Sequence, residues 1–324
     1  MNKAVLAVAV LAALGTSSAM AATVYSDDTT ELKIGGRAEF RGNFSSGIEG
    51  TMENKSRARL NAKGKTKITE DLTGFAKWEA EQSTGSSGDS SEITTEENDT
   101  NSSFKQRYMF VGLGTNFGDV SFGKQDTAPV QISGMSDIGT YTGAQKEFIA
   151  AGNEQINNTF LYSGEFDALT VQGSFIASEA KSNNGYGISA IYQLPMGLGL
   201  GLGYATQDRG ENAGKGNQII GGVNYSMDAL YIGATYTQGK QNDTTDVEFT
   251  GVEVAAKYKF DGGFSLIGSY QNQKEDKDQD ATSDFVEVTG EYKFNKSMKT
   301  YAAYKVDNRK NKDNNLRLGL RYDF

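Results

Sequence analysis

A two-residue rhythm constrains this chain more than any other feature. From Leu32, apolar and small residues (Leu32, Ile34, Gly36, Ala38, Phe40, Gly42, Phe44) alternate with polar and charged ones (Lys33, Arg37, Glu39, Arg41, Asn43). The next run sets Ala58, Leu60, Ala62, Gly64 and Ile68 against Arg57, Arg59, Asn61, Lys63, Lys65 and Lys67. Successive side chains of a strand point to opposite faces, so period two specifies strands with one apolar and one polar face. Further alternating runs begin near Leu72, Phe104, Val120, Asn158, Leu169, Tyr186, Leu198, Gln218, Leu230, Val252, Phe264, Phe285, Met298 and Leu316, making sixteen in all. Most are about 9 to 11 residues long, the length a tilted strand needs to cross hydrocarbon.

The connections sort by length. Glu70-Asp71, Thr115-Asn116, Asp167-Ala168, Pro195-Met196-Gly197, Met227-Asp228, Asp261-Gly262-Gly263 and Asn295-Lys296-Ser297 are short. Between them run long polar stretches such as Ser83 to Ser103, Asp208 to Gly216, Gly239 to Val247 and Asn272 to Ser283. A soluble sandwich has no reason to separate its loops in this way, whereas a membrane barrel has short turns on one side and long loops on the other. Aromatic pairs mark the strand ends: Tyr258 with Phe260, Tyr292 with Phe294, and Tyr322 with the terminal Phe324. Rings at matching depth form an interfacial girdle. The predicted fold is all-β, a sixteen-stranded antiparallel transmembrane β-barrel with short periplasmic turns and long external loops.

The N-terminus has the features of an export signal. Lys3 supplies the positive charge, Ala4 to Leu14 form an apolar run, and Ala19-Met20-Ala21 offers small residues for cleavage. The run is too short to span a bilayer as a helix. Residues 1–21 are predicted to be removed, leaving residues 22–324 as the barrel; losing Lys3 takes the net charge from −9 to −10. Export, the barrel pattern and alternation to a final aromatic place the chain in a Gram-negative outer membrane.

Composition excludes whole classes of function. With no His and no Cys there is no Ser-His-Asp or Cys-His relay, no imidazole metal site and no disulfide. An outer-membrane protease or phospholipase is therefore set aside, and nothing calls for a cofactor or a metal. No basic region suggests nucleic acid. Asp276 to Asp280 with Glu287 superficially matches a calcium loop, but Ala281 stands where glycine is required and no helices flank it. Gly64-Lys65-Thr66 lacks the upstream glycine of a phosphate loop, Arg59 standing there.

A barrel of sixteen strands leaves an aqueous channel. The predicted inward face carries Lys77, Glu79, Glu81, Lys105, Arg107, Glu253, Lys257, Lys259, Glu287, Glu291, Lys293, Lys299, Lys305 and Arg317. Charges that cannot face lipid must face water. Phe75, Ile176, Phe285 and Tyr301 are inward exceptions, too scattered to form a sugar slide. One connection stands apart: residues 126–153 include Val130, Ile132, Met135, Ile138, Tyr141, Phe148 and Ile149, while Ser83 to Ser103 holds Asp89, Glu92, Glu96, Glu97 and Asp99 with Ile93 alone. Apolar residues on a long loop imply that it packs against something. The expectation is that it folds into the barrel and narrows it; the alternative is a loop at a subunit contact.

These residues resemble the general diffusion porins, most closely the OmpU-type porins. The resemblance is carried by Leu32 to Glu39, Ser56 to Leu60 with Lys63-Gly64 and Asp71-Leu72, Arg107 to Leu113, Phe122-Gly123-Lys124, Ser136-Asp137-Ile138, and Leu318 to Phe324. It implies a homotrimer of barrels, each with its own pore, embedded among outer-membrane lipid and lipopolysaccharide. It also implies a constriction in which basic wall residues, here Arg37, Arg59 and Arg107, face an acidic loop residue, here Asp137. Glu39, Arg41, Arg57, Lys63, Lys77 and Lys105 are expected to line the lumen around them. Two departures are visible: Gln155 stands where many such porins carry a basic residue, and Gly139-Thr140-Tyr141-Thr142-Gly143 replaces a Pro-Glu-Phe-Gly-Gly stretch.

The expected function is passive diffusion of small hydrophilic solutes and ions. Acidic loops concentrate cations at the mouth, so a mild cation preference is predicted. A solute-specific channel or a surface adhesin on the same barrel is the competing reading.

Overall fold

The alternation becomes antiparallel strands because each short turn can close a hairpin. In two of them an aspartate supplies the left-handed residue: Asp167 has φ 52° and Asp228 φ 48°, a conformation Asp tolerates better than most side chains. Phe166 then pairs with Leu169 and Met227 with Leu230. The computed structural model describes residues 21–84, 103–211, 214–241, 247–276 and 281–324. The predicted leader through residue 20, the acidic stretch from Asp89 to Asp99 and residues 277–280 of the calcium-like string lie outside the described residues.

In chain order the strands are β1 (Ala22–Ser26), β2 (Thr30–Phe44), the two-residue β3 (Glu53–Asn54), β4 (Arg57–Lys67), β5 (Leu72–Ser83), β6 (Ser103–Thr115) and β7 (Gly118–Gln125). After the long connection come β8 (Ile156–Phe166), β9 (Leu169–Ile176), β10 (Gly185–Gln193), β11 (Leu198–Asp208), β12 (Lys215–Met227) and β13 (Leu230–Lys240). The remainder are β14 (Glu248–Lys259), β15 (Phe264–Glu275), β16 (Ser283–Lys293), β17 (Met298–Asp307) and β18 (Asn315–Asp323). β2 pairs with β4, each later strand pairs with the next, and β18 returns to β2, closing a barrel of sixteen staves. All sixteen alternating runs are staves. β1 and β3 are extra edge segments that the alternation did not reveal.

The closing seam uses both chain ends. β18 covers β2 from Phe44 down to Arg37, with Leu316 opposite Phe44 and Asp323 opposite Arg37. Gly36 and Phe324 then exchange backbone hydrogen bonds of 2.9 and 3.0 Å. Below them β1 takes over the same edge, Ala22 opposite Ile34 and Ser26 opposite Glu31. No edge of β2 is left to recruit a foreign strand, the liability of any open sheet.

The molecule is apolar on the outside. Leu32, Leu60, Val111, Ile188, Leu202, Val223, Val288 and Leu320 all face outward and are exposed in the isolated chain, as a lipid-facing wall requires. The aromatic pairs stand at the strand ends, Tyr258 and Phe260 with ring centroids 4.7 Å apart, Tyr292 and Phe294 5.1 Å, and Tyr322 and Phe324 6.0 Å. Buried apolar residues lie inside, where residues 126–155 pack against the wall. One cluster joins Ile132 and Met135 of this loop to Ile191 and Ile220; a second joins Ile149 and Ala151 to Ala205 and Phe249.

Candidate functional site

The inward loop leaves β7, turns through helix α1 (Val130–Ser133) and two short 3-10 segments (Ala144–Lys146 and Ala150–Gly152), and re-enters the wall at β8. Its outward path is held by side chains of successive strands. The Ala128 N–H donates to Ser174 Oγ at 3.0 Å, and Ser189 Oγ donates to the Ala128 carbonyl at 2.5 Å. Tyr231 donates to the Met135 carbonyl, and Ser136 bonds Thr235 and Glu253, each at 2.7 Å. At the tip, Glu287 accepts the N–H groups of Thr140 (2.7 Å) and Tyr141 (3.1 Å), and Tyr141 donates to Asn315. On the return, Gly143 donates to Glu253, Gln273 donates to the Ala144 carbonyl, and Phe148 stacks on Phe249 at 4.2 Å. Glu253 and Glu287 are fully buried, each consumed in holding loop backbone.

Glycines on the inner face make room for this seating. A Cβ on Gly201 would meet Ile132 at 2.8 Å, one on Gly222 would meet the Met135 sulfur at 2.6 Å, and Gly233 lies directly under the Met135 carbonyl. The sequence contained this signal, since Gly187, Gly201, Gly203, Gly222, Gly233 and Gly251 all fall on the inward parity. Read as residues merely lacking charge, they carried no message until the loop was in place.

The loop therefore lines the barrel from β9 to β18, and Arg37, Arg59 and Arg107 stand on the other side, on β2, β4 and β6. Arg37 and Arg59 are directly opposite in the β2–β4 register, as are Glu39 and Arg57. Like charges directly opposite are destabilising; here carboxylates interleave with them. Arg57 bonds Glu39 at 2.6 Å and lies 3.6 Å from Glu81; Arg59 pairs with Glu81; Arg107 bonds Glu79 at 2.8 Å. Arg37 is buried and reaches Glu39 only at 3.9 Å. Lys77 lies 3.9 Å from Glu79 and 3.5 Å over the Tyr108 ring. Lys63 stands opposite both Lys33 and Lys77, and the exposed Lys105 stands opposite Glu81. Arg41, one turn of the alternation above Glu39, is half-buried.

Arg107 reaches the lumen through an irregularity. Unbroken alternation would put it on the face of Met109, Val111 and Leu113, which point outward. The β5–β6 register shifts between Glu79 and Ala80, which face Tyr108 and Gln106, so Arg107 is the extra residue of a bulge. Bulges re-aim side chains in this way. Below it Tyr108 and Phe110 turn inward toward Phe75, whose ring lies 6.5 Å from that of Phe110.

Asp137 sits on the loop, where its carboxylate accepts from Lys146 at 2.7 Å and Thr142 at 3.1 Å. Lys146, not singled out from the sequence, also reaches Glu154 at 3.5 Å. Burial opposes its charge, but Asp137 and Glu154 outweigh burial and hold its ammonium above the ordinary lysine range. Burial first, then Glu154, raises the Asp126 carboxyl, although Tyr108 and the Gln155 N–H, each 3.0 Å away, act in the other direction. Gln155, at φ 56°, makes the turn into β8 and spends its side chain on Glu154. Burial pushes the Tyr141 hydroxyl up to about 12.

A closed barrel with an apolar exterior, a charged interior and a loop strapped across its inside defines an outer-membrane channel protein. The chain belongs to the Gram-negative porin family, whose sequence profile matches residues 7–312. It is similar to porin-like protein L of Photobacterium profundum (33% identity over the whole of both chains) and to outer membrane protein U of Vibrio parahaemolyticus (30%, again over the whole of both). In three dimensions it resembles Salmonella typhi OmpF, determined in complex with daunomycin, with a TM-score of 0.79 at 18% identity over 94% of this chain and 100% of that one. The trimer form of Vibrio cholerae OmpT superposes with a TM-score of 0.69 at 17% identity, covering 91% and 99%. The protein is thus a porin of the outer membrane, and porins are channels rather than enzymes.

Proposed function

We propose that the protein is a general diffusion porin whose constriction lies between the inward loop and the wall residues Arg37, Arg59 and Arg107, with Asp137 on the loop side. The observation that carries this reading is the division of the lumen: the loop is bound to β9–β18, and Arg37, Arg59 and Arg107 stand on β2, β4 and β6. Water-soluble solutes must pass between a polar loop and a charged wall. Ordered dipoles and charges at such a gap favour polar solutes and raise the barrier to apolar ones.

The wall arginines are interleaved with Glu39, Glu79 and Glu81, so the gap itself is nearly compensated. Ion preference then follows the mouths, where the net acidity of the chain concentrates cations. A mild cation preference results, and Glu147 and Glu154 on the loop add to it. The barrel assembles as a homotrimer in this reading, as the structurally similar Vibrio cholerae OmpT does in its trimer form. Outer-membrane lipid and lipopolysaccharide surround it, and residues 1–21 are removed on export. Purified mature protein in a planar bilayer should give large KCl steps closing in thirds, with a cation-selective reversal potential in a KCl gradient. An anion-selective sign would remove the ion preference; absence of steps from folded protein would favour an adhesin over a channel.

A further inference from the structure

Above the arginines of the constriction, the inner wall carries cations that its own carboxylates do not match. Among the described residues, the Arg41 guanidinium makes no ion pair or hydrogen bond, and its Nε is buried without a partner. The charges that act on it most strongly are those of Arg57 and Arg317, of like sign, ahead of Glu39. Glu39 is already engaged, by Arg57 at 2.6 Å and by the Tyr301 hydroxyl at 2.9 Å. Arg317 makes no ion pair among the described residues either: it donates to Asn43 at 2.7 Å and to the Thr140 carbonyl, and lies 4.2 Å over the Tyr141 ring. The other carboxylate nearby, Glu53, is held by Lys55 at 2.6 Å and Asn43 at 3.0 Å. Among the described residues, Arg41, Arg57, Arg317 and Lys55 thus share Glu39 and Glu53, with Glu81 reached by Arg57 alone at 3.6 Å and already paired with Arg59.

A sequestered guanidinium without an anion is costly, and the cost is relieved by an oxyanion that takes its forked N–H groups. Arg41 belongs to β2, Arg317 to β18, and the two strands pair with Asn43 opposite Arg317 and Arg41 opposite Gly319. Glycine at 319 leaves the space between them to the Tyr301 ring. Thr140 and Tyr141 of the loop tip form the other side.

We infer that Arg41 and Arg317, backed by Arg57, form an oxyanion-binding subsite at the outer lip of the constriction, which takes small solutes bearing a carboxylate or phosphate group. The inference rests on the channel reading above. It does not conflict with a mild cation preference, because the vestibules set the bulk ion ratio whereas a local site sets how long one class of solute dwells. Binding that speeds entry must also be weak enough to release, and Arg41, only half-buried, keeps the access to water that release requires.

The test uses single channels of mature protein in about 0.1 M KCl, where charges act over about 10 Å, with inorganic tripolyphosphate or succinate added on the side of the long loops. Wild-type current should be interrupted briefly by both probes, and interruption by tripolyphosphate alone would assign the site to phosphate-bearing solutes. In R41Q/R317Q the interruptions should be at least tenfold shorter, while the exposed outer-loop variant Lys181→Gln should match wild type. Interruptions of equal length in R41Q/R317Q, or none in a wild type that conducts KCl normally, would overturn the subsite. Loss of KCl steps from wild type would instead overturn the channel reading. Should R41Q/R317Q fail to assemble, Arg41→Gln alone decides the matter, since that side chain has no hydrogen bond to lose.

Discussion

Gly233 lies directly beneath the Met135 carbonyl, so close that a Cβ on residue 233 would overlap the oxygen. The contact is backbone against backbone, and no rotamer change relieves it. Gly233→Ala should therefore lift the loop where Ser136 meets Thr235 and Glu253, at an overpacking cost of about 1–3 kcal/mol. The expected result is an assembled barrel whose single-channel current is noisier than wild type and differs in mean level. A current trace indistinguishable from wild type would show that the loop is not seated on β13.

The Oγ atoms of Ser136 and Thr235 are 2.7 Å apart, and the chain contains no cysteine. S136C/T235C should oxidise to a loop-to-wall disulfide without moving either segment. Its KCl conductance should then be the same before and after reduction. A several-fold rise on oxidation or reduction would mean that the loop rests elsewhere in the conducting state.

Replacing Arg37, Arg59 and Arg107 together by Gln removes three positive charges and leaves Glu39, Glu79 and Glu81 in place. The reversal potential in a KCl gradient should move toward stronger cation selectivity, and Asp137→Asn should move it the other way. Both shifts should shrink at about 1 M salt, where the screening length falls to about 3 Å. A triple variant that moves toward anion selectivity would contradict the assignment of these residues to the constriction.

The loop should tighten on mild acidification. Asp126 has its carboxyl raised by burial and by Glu154, so the folded state binds its proton more firmly than the unfolded chain does. That contribution is present below the ordinary carboxylate range and lost as pH rises through the raised value. Lys146, also raised, keeps its contribution through neutral pH and loses it only above the ordinary lysine range. Current noise should fall as pH is lowered from neutral toward the ordinary carboxylate range, and Asp126→Asn should abolish the change. Noise that falls on acidification in Asp126→Asn as in wild type would place the sensitive group elsewhere.

The seam predicts a stability effect. Gly36 and Phe324 exchange two backbone hydrogen bonds, and the Phe324 ring packs over Gly36. Deleting Phe324 leaves β2 uncovered between β18 and β1, so assembled protein should unfold at lower temperature than wild type in the same detergent. An unchanged unfolding temperature would mean that β1 alone secures the edge.

Alternation, turn residues and loop lengths are local properties, and they determined the strand count, the two faces, the lipid-facing exterior and the oddity of residues 126–153. A strand needs only its own period to sort Leu60 from Arg59, and a hairpin needs only Asp228 to turn. Arg107 shows where local reading stops, because its inward direction depends on a bulge against Glu79 and Ala80 of the neighbouring strand. The apolar residues of the loop announced packing, but their partners Gly201, Gly222 and Gly233 lie on strands 66 or more positions further along the chain. Charge balance is likewise a property of register. Only the closed barrel sets Arg57 beside Glu39 and Glu81, binds Asp137 to Lys146, and leaves Arg41 and Arg317 without an ion pair among the described residues. Period fixes the direction of a side chain, whereas the charge it meets depends on chain segments brought together by closure, a long-range event that no window of sequence contains.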